Sequence, residues 1–408
     1  MTIPEFNSAL NHYESTLTTL ENNGRKPTPE VVIEVLIARD EVQKKLQNIS
    51  KPPARKLKLL VQLDLRLKKQ AGKIAEVLHQ EDYRTSFNTP DHSWWWHLDS
   101  FHPLNKFDWL WSSLTVVAII VSVSLAVEIS SRFLIENAGF LSAFAVIFQS
   151  ALTIITAGGV LTKKGRTGIN RFLIRIGIKS YWFQEVKLGL SAMLLIFLLS
   201  FRTSLPWISQ HFNEQGLEHN ISGQIGKAKS NYELAISLDS DNMEAHFNLG
   251  HLYQDLQEIK KAKIQYSTAA QGGLDIAYNN LGRLYILERK YSQASSLLRQ
   301  GLNSNPEEAQ IEYALLKNLG WSLWKQKRYG DAESLLREAI SFDQEVAAAS
   351  INSVPRGAAH CLLAQVLEAQ DSSKKEVLQE WEKCLQYSDP RYPEEDTWIN
   401  IARQRVDP

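Results

Sequence analysis

The chain has 408 residues, enough for two or three domains, with 45 Lys plus Arg against 45 Asp plus Glu. That balance leaves no net field to favour nucleic acid or an acidic ligand. Cys361 and Cys384 are the only cysteines, too few for a disulfide framework or a zinc site; they read as two buried thiols, with one disulfide as the alternative.

The opening residues, Met1-Thr2-Ile3-Pro4-Glu5, hold no basic stretch followed by an apolar core, so no cleavable signal peptide is expected. Three helical patterns follow within residues 1–82. Phe6, Leu10, Tyr13, Leu17 and Leu20 form one apolar stripe, ended by Asn22-Asn23-Gly24. A second pattern opens at Thr28-Pro29, a cap and a first-turn proline, and its stripe is Val31, Val35, Ala38, Val42 and Leu46. A third follows Pro52-Pro53, with Leu60, Leu63, Leu67, Ala71, Ile74 and Leu78. Short connections predict an antiparallel three-helix bundle. The third helix is basic through Arg55, Lys56, Lys58, Arg66, Lys68 and Lys69. That is a solvated face, or one drawn to an anionic membrane surface or an acidic partner.

Residues 83–108 lose periodicity and form an aromatic linker. Trp94-Trp95-Trp96, with Trp109 and Trp111 beyond them, read as an interfacial aromatic belt ahead of an apolar span, core packing being the alternative. Residues 109–207 predict a membrane region of three transmembrane helices, about 109–128, 139–162 and 187–206. No charge interrupts Trp109 to Val127, a stretch that rises about 28 Å against ~30 Å of hydrocarbon. Gly139 to Thr162 is likewise uncharged. The third apolar run, Leu188 to Phe201, is short, but Lys187 and Arg202 at its ends are long enough to snorkel. It reads as a crossing, with a re-entrant or surface-lying segment as the alternative.

The loop 163–186 carries Lys163, Lys164, Arg166, Arg171, Arg175 and Lys179 with no acid before Glu185. Such a loop stays on the cytoplasmic side. Ile169, Phe172, Leu173 and Ile176 share one face of it, which predicts a helix lying on the membrane surface. The N-terminus is then cytoplasmic, and three crossings carry residues 208–408 to the periplasmic or lumenal side. Without the third crossing they remain cytoplasmic.

Residues 208–408 repeat. Asn-Leu-Gly stands at 248–250, 280–282 and 318–320, and each Gly is followed twelve residues later by an alanine, Ala262, Ala294 or Ala332. Fixed offsets at a period of about 34 residues mark a helical repeat array. Small residues let two antiparallel helices approach, and larger ones fill the seam to the next pair, since one repeat cannot bury its apolar face alone. These offsets resemble the tetratricopeptide repeat family over about 209–390. The first repeat is degenerate (Gly216, Ala228, Tyr232, Ala235), and a fifth has Leu363-Ala364 in place of Leu-Gly. Pro393 to Arg405 reads as the capping helix that a solenoid requires. The whole layout also resembles multi-pass membrane proteins of bacteria, cyanobacteria included, that carry such repeats, a likeness of arrangement that brings no function with it.

The expected fold is therefore all-α: an N-terminal helical bundle, three transmembrane helices and a C-terminal α-solenoid. The family resemblance implies that proteins or peptides are held on a concave face lined by the first helix of each repeat. Asn248, Asn280 and Asn318 would form a ladder along an extended peptide, and His251, Arg283, Trp321 and Trp324 would extend that face. The alternatives are that the asparagines bond their own scaffold and that the tryptophans pack between repeats. Some members clamp a C-terminal carboxylate with a Lys-Asn pair; this chain has Asn213 and Leu217 there, which argues against such a clamp.

No phosphate loop, His-Glu-x-x-His or Gly-x-Ser-x-Gly occurs. His92, His97 and His102 have no carboxylate or cysteine at ligand spacing. Neither an enzyme nor a metal, cofactor or nucleic-acid site is expected. The leading expectation is a membrane-anchored scaffold that recruits or assembles partner proteins at a bilayer. The alternative is a transmembrane signalling module, in which partner binding by the repeats controls assembly of the N-terminal bundle.

Overall fold

A computed structural model describes residues 3–24, 27–77, 93–101, 103–134, 143, 146–153, 162–342, 356–389 and 393–406. Among these residues the protein is all-α, with no strand. It divides into two compact units, Met1–Glu128 with Val146–Ser200, and Ile129–Ala145 with Phe201–Pro408.

The first unit opens with α1 (Ile3–Asn22), α2 (Pro29–Gln47), α3 (Ala54–Lys69) and α4 (Ala71–Val77). Phe6, Leu10, Tyr13, Leu17 and Leu20 are fully buried against Val35, Leu63 and Leu67, each contributing about 2 kcal/mol relative to exposure. Thr28 stands at the N-cap of α2 ahead of Pro29, but its hydroxyl makes no cap bond. The third predicted helix is two: Gln70 closes α3 with its N–H on the last carbonyls, and α4 restarts at Ala71. Asp64 points into the bundle, where it accepts hydrogen bonds from Arg39 Nε and Nη2 at 2.7 and 3.0 Å and from the Tyr13 hydroxyl at 3.1 Å. Burial, and then the Asp64 charge, push the Tyr13 phenol well above its ordinary range.

The tryptophan triplet departs from the expected aromatic belt. Trp94–Trp96 forms a single 3₁₀ turn, and Trp95 and Trp96 are buried in the bundle core. Both indole N–H groups donate to Asp40 of α2, at 2.7 and 3.0 Å, and the Arg39 guanidinium lies 4.2 Å from the centre of the Trp95 ring. A carboxylate that satisfies both polar handles allows two large rings to be buried without stranding a donor. Trp109, by contrast, is 70 % exposed.

Beyond the bundle lie α5 (Asp108–Arg132), α6 (Lys163–Arg175) and α7 (Phe183–Ile221). Among the described residues, two helical stretches are long and apolar enough to cross a membrane, Asn105–Arg132 and Phe183–Ile221. The predicted span 139–162 falls largely outside the described residues, of which 146–153 are helical. The third helix, expected over about 187–206, does not end there: α7 is one helix of 39 residues with Pro206 inside it. Its apolar stripe continues through Phe201, Leu205, Ile208 and Phe212, which pack on Leu234 and Leu238 in the second unit.

In the second unit α8 (Ile225–Leu238) packs on the end of α7, and α9 (Met243–Asp255) with α10 (Ile259–Gln271), α11 (Asp275–Leu287) with α12 (Tyr291–Asn303), and α13 (Ala309–Lys325) with α14 (Tyr329–Ser341) follow as antiparallel pairs. α15 (Gly357–Ala369) and α16 (Lys374–Tyr387) form the last pair, and α17 (Pro393–Val406) covers it. Asn242 caps α9, its side chain accepting from the Ala245 N–H at 2.9 Å. Arg132 Nη1 donates to the Leu238 carbonyl at 2.6 Å and so caps the far end of α8. The expected pair of thiols is instead a disulfide. Cys361 of α15 and Cys384 of α16 are fully buried and bonded. They face each other across one hairpin with Cα atoms 4.8 Å apart, a juxtaposition set by the fold and not by local sequence.

Candidate functional site

The first four helix pairs each close on a glycine. A Cβ added at Gly216 would lie 2.6 Å from the Tyr232 ring, at Gly250 2.9 Å from Tyr266, at Gly282 2.6 Å from Leu298, and at Gly320 2.7 Å from Leu336. On the second helix Ala228, Ala262, Ala294 and Ala332 are fully buried. The two backbones are close enough that only these small residues fit.

The turn between the paired helices also recurs. Gly223, Gln257, Arg289, Lys327 and Asp371 each adopt a left-handed conformation, with φ of 72°, 61°, 62°, 60° and 55°. The next N–H then reaches back to a carbonyl of the helix just ended: Glu258 to Tyr253 at 2.8 Å, Lys290 to Tyr285 at 2.8 Å, Arg328 to Leu323 at 3.0 Å. These are Schellman closures, and they satisfy otherwise orphaned carbonyls.

The same stretch matches family models: a TPR repeat over residues 216–257, and tetratricopeptide repeats over 244–271, 277–310 and 314–346. Residues 216–346 are tetratricopeptide repeats. Among solved structures the chain is similar to pilF of Pseudomonas aeruginosa, at 15 % identity and a TM-score of 0.39, covering 50 % of this chain and 88 % of that one. It is similar to PilW, described as a widely conserved type IV pilus biogenesis factor, at 16 % identity and a TM-score of 0.40, covering 49 % and 86 %. It is also similar to YrrB, described as a TPR protein with an unusual peptide-binding site, at 14 % identity and a TM-score of 0.35, covering 47 % and 90 %. No curated protein sequence matches.

Within the tetratricopeptide array the three asparagines differ. Asn248 is half-buried and donates through Nδ2 to Asn213 Oδ1 at 2.9 Å. Asn318 is 1 % exposed and donates to Asn279 Oδ1 at 2.7 Å. Asn280 accepts from its own neighbour Asn279 at 3.1 Å. The acceptors Asn213 and Asn279 each stand three residues before the glycine of the preceding repeat; the equivalent position in the second repeat is Phe247. An aromatic ring offers no amide acceptor, so the ladder is interrupted there. Asn213 and Asn279 were not among the candidates from sequence, although their fixed offset from Gly216 and Gly282 was a usable signal.

His251 is exposed and pairs with Asp255 one turn on, at 3.2 Å. Arg283 and Trp324 are half-buried, and Lys325 Nζ lies 3.9 Å from the centre of the Trp324 ring. Trp321 is not on an open face. It is 8 % exposed and meets Trp398 of α17 edge to face at 5.4 Å, filling the seam beneath the capping helix. The array thus brings Asn248, His251, Asn280, Arg283 and Trp324 to accessible positions on its first helices, and places Asn318 and Trp321 behind them.

Of the basic segment, Lys163 opens α6, with the Thr162 hydroxyl accepting the Gly165 N–H at 3.0 Å. Lys164, Arg166, Arg171, Arg175 and Lys179 are exposed. Leu173 is buried, while Phe172 and Ile176 remain exposed, so the apolar stripe divides between protein and surroundings. No group of three or more His, Cys, Asp or Glu able to hold a metal ion occurs among the described residues.

Proposed function

We propose that the protein is a membrane-anchored scaffold whose tetratricopeptide array holds protein or peptide partners on the face lined by α9, α11 and α13. The observation that carries this reading is the run of consecutive repeats over 216–346, since a stacked array presents a long continuous surface built for partner binding. Asn248, Asn280, His251, Arg283 and Trp324 are the contact residues in this reading. Asn318 and Trp321 support them from beneath.

The apolar stretches Asn105–Arg132 and Phe183–Ile221 supply the anchor. The exposed Phe172 and Ile176 beside exposed Arg171 and Arg175 support α6 as a helix on the membrane surface. With that basic loop cytoplasmic and three crossings, the array lies on the periplasmic or lumenal side. The Cys361–Cys384 bond supports the same side, because disulfides persist in oxidising compartments and are rare in the cytosol.

Photo-cross-linking in native membranes tests the binding face. A benzophenone side chain at residue 251 or 283 is expected to trap a discrete protein, whereas one at Ile264, exposed on α10, is not. Asn248→Ala with Asn280→Ala should reduce the trapped product while helicity is retained. Equal trapping from all three sites would remove the assignment of the face.

A further inference from the structure

α3 has a second face that the bundle core does not use. At about 100° per residue, Arg55, Lys58, Val61, Gln62, Leu65 and Lys69 fall within about 120° of arc. All six are exposed, Val61 at 59 % and Leu65 at 56 %. The single acid of the helix, Asp64, is turned away from this arc onto Arg39 and Tyr13. On the flanks Arg66 is held by Glu21 at 2.6 Å, and Lys68 lies over the rings of Trp94 and Phe101 at 4.5 and 4.6 Å. Arg55 and Lys58 make no ion pair among the described residues. The arc therefore carries two large aliphatic side chains, three cations and no carboxylate.

A lone exposed aliphatic or a solvated lysine face is ordinary. Here the two occur together: Val61 and Leu65 sit one turn apart with cations beyond each of them. Long basic stems let the charges reach headgroup phosphates while the aliphatics enter the acyl boundary. We infer that this face of α3 rests on an anionic lipid surface, that of the bilayer in which the chain is itself held; the inference rests on the membrane-anchored reading. Charge complementarity selects the occupant, since a cationic arc without a carboxylate requires an anionic partner. A convex helix face with two shallow aliphatics suits a continuous lipid surface. An acidic protein is the competing occupant.

The full chain with bimane at Leu65→Cys provides the test. Cys361 and Cys384 are bonded and buried, so the label goes to one position. Ser15→Cys, exposed on α1, is the reference. Both are placed in nanodiscs of phosphatidylcholine containing spin-labelled lipid, with and without phosphatidylglycerol. Quenching at residue 65 should rise about twofold when phosphatidylglycerol is present and fall back at high salt. It should also be lost in the triple variant Arg55→Glu, Lys58→Glu, Lys69→Glu, while residue 15 is unchanged. Equal quenching in both lipids, or none above the reference, overturns the inference and leaves anchoring intact if the chain co-elutes with neutral discs. A chain that does not co-elute with neutral discs removes the anchoring reading and this one with it. Protection of residue 65 that needs cytosolic extract and occurs without quenching assigns the face to a protein and equally overturns the inference.

Discussion

Gly250 and Tyr266 meet across the hairpin of one repeat so closely that a Cβ on the glycine would stand 2.9 Å from the tyrosine ring. The same contact recurs between Gly282 and Leu298 and between Gly320 and Leu336. Gly226 and Gly330 open the second helices of their hairpins, and a Cβ at either would have nothing within 4 Å.

Gly250→Ala and Gly282→Ala should therefore each destabilise the array by about 1–3 kcal/mol, the usual cost of overpacking. Gly226→Ala and Gly330→Ala should stabilise it by up to about 1 kcal/mol, because alanine is the better helix former. Thermal unfolding followed by circular dichroism checks both signs. Equal responses at the two classes of glycine would mean that close approach is not what holds these positions small.

Asp40 accepts from both Trp95 and Trp96. Asp40→Ala strands two buried indole donors, at about 1–3 kcal/mol each. Asp40→Asn keeps one acceptor and should lose less. Hydrogen exchange should report the loss in α1 to α4 and leave the tetratricopeptide array unchanged.

The Cys361–Cys384 bond closes a loop with a sequence separation of 23 residues, worth about 3 kcal/mol by chain entropy. Reductant, or Cys361→Ala with Cys384→Ala, should lower the unfolding midpoint of the last repeat first. Thiol titration of the unfolded protein should find no free thiol before reduction. Reactive thiols in the unreduced protein would contradict the pairing.

Glu380 carries the clearest pH dependence of the array. Burial alone would raise its carboxyl, but hydrogen bonds from His360 at 2.6 Å and Lys383 at 2.9 Å hold it below its ordinary value of 4.5. A depressed carboxylate contributes stability above the unfolded value, and that contribution is lost as pH falls through the folded one. The last hairpin should weaken progressively below about pH 4.5. Glu380→Gln should flatten that acid limb, as read from urea midpoints across pH.

The repeats were legible because their cause is steric and local. Gly250 and Ala262 keep a fixed offset, and each has one permissible size. The stripe from Phe6 to Leu20 was legible for the same reason, as a helical period with one buried side. Trp95 and Trp96 were not, because their burial depends on Asp40, 55 and 56 residues earlier in the chain, and no local pattern encodes that acceptor. The disulfide escaped for a related reason, since pairing depends on which helices face each other. The asparagine triplet was legible as a motif, but the amide partners of Asn248 and Asn318 lie in the preceding repeat, and Asn280 lacks one there because Phe247 takes that place.

That interruption has a mechanical consequence. A free-ended solenoid frays from its termini, where each unit has only one neighbour. Here the final hairpin is covalently stapled, and the first helix of the array is the same element as an apolar span. Between the second repeat and the third the coupling is of another kind: Lys263 of α10 pairs with Glu288 at the end of α11, and Tyr266 shares a side-chain hydrogen bond with Asn280. A partner that bends the array at that seam would work against a charged pair, which salt screens, where the neighbouring seams are joined by paired amides.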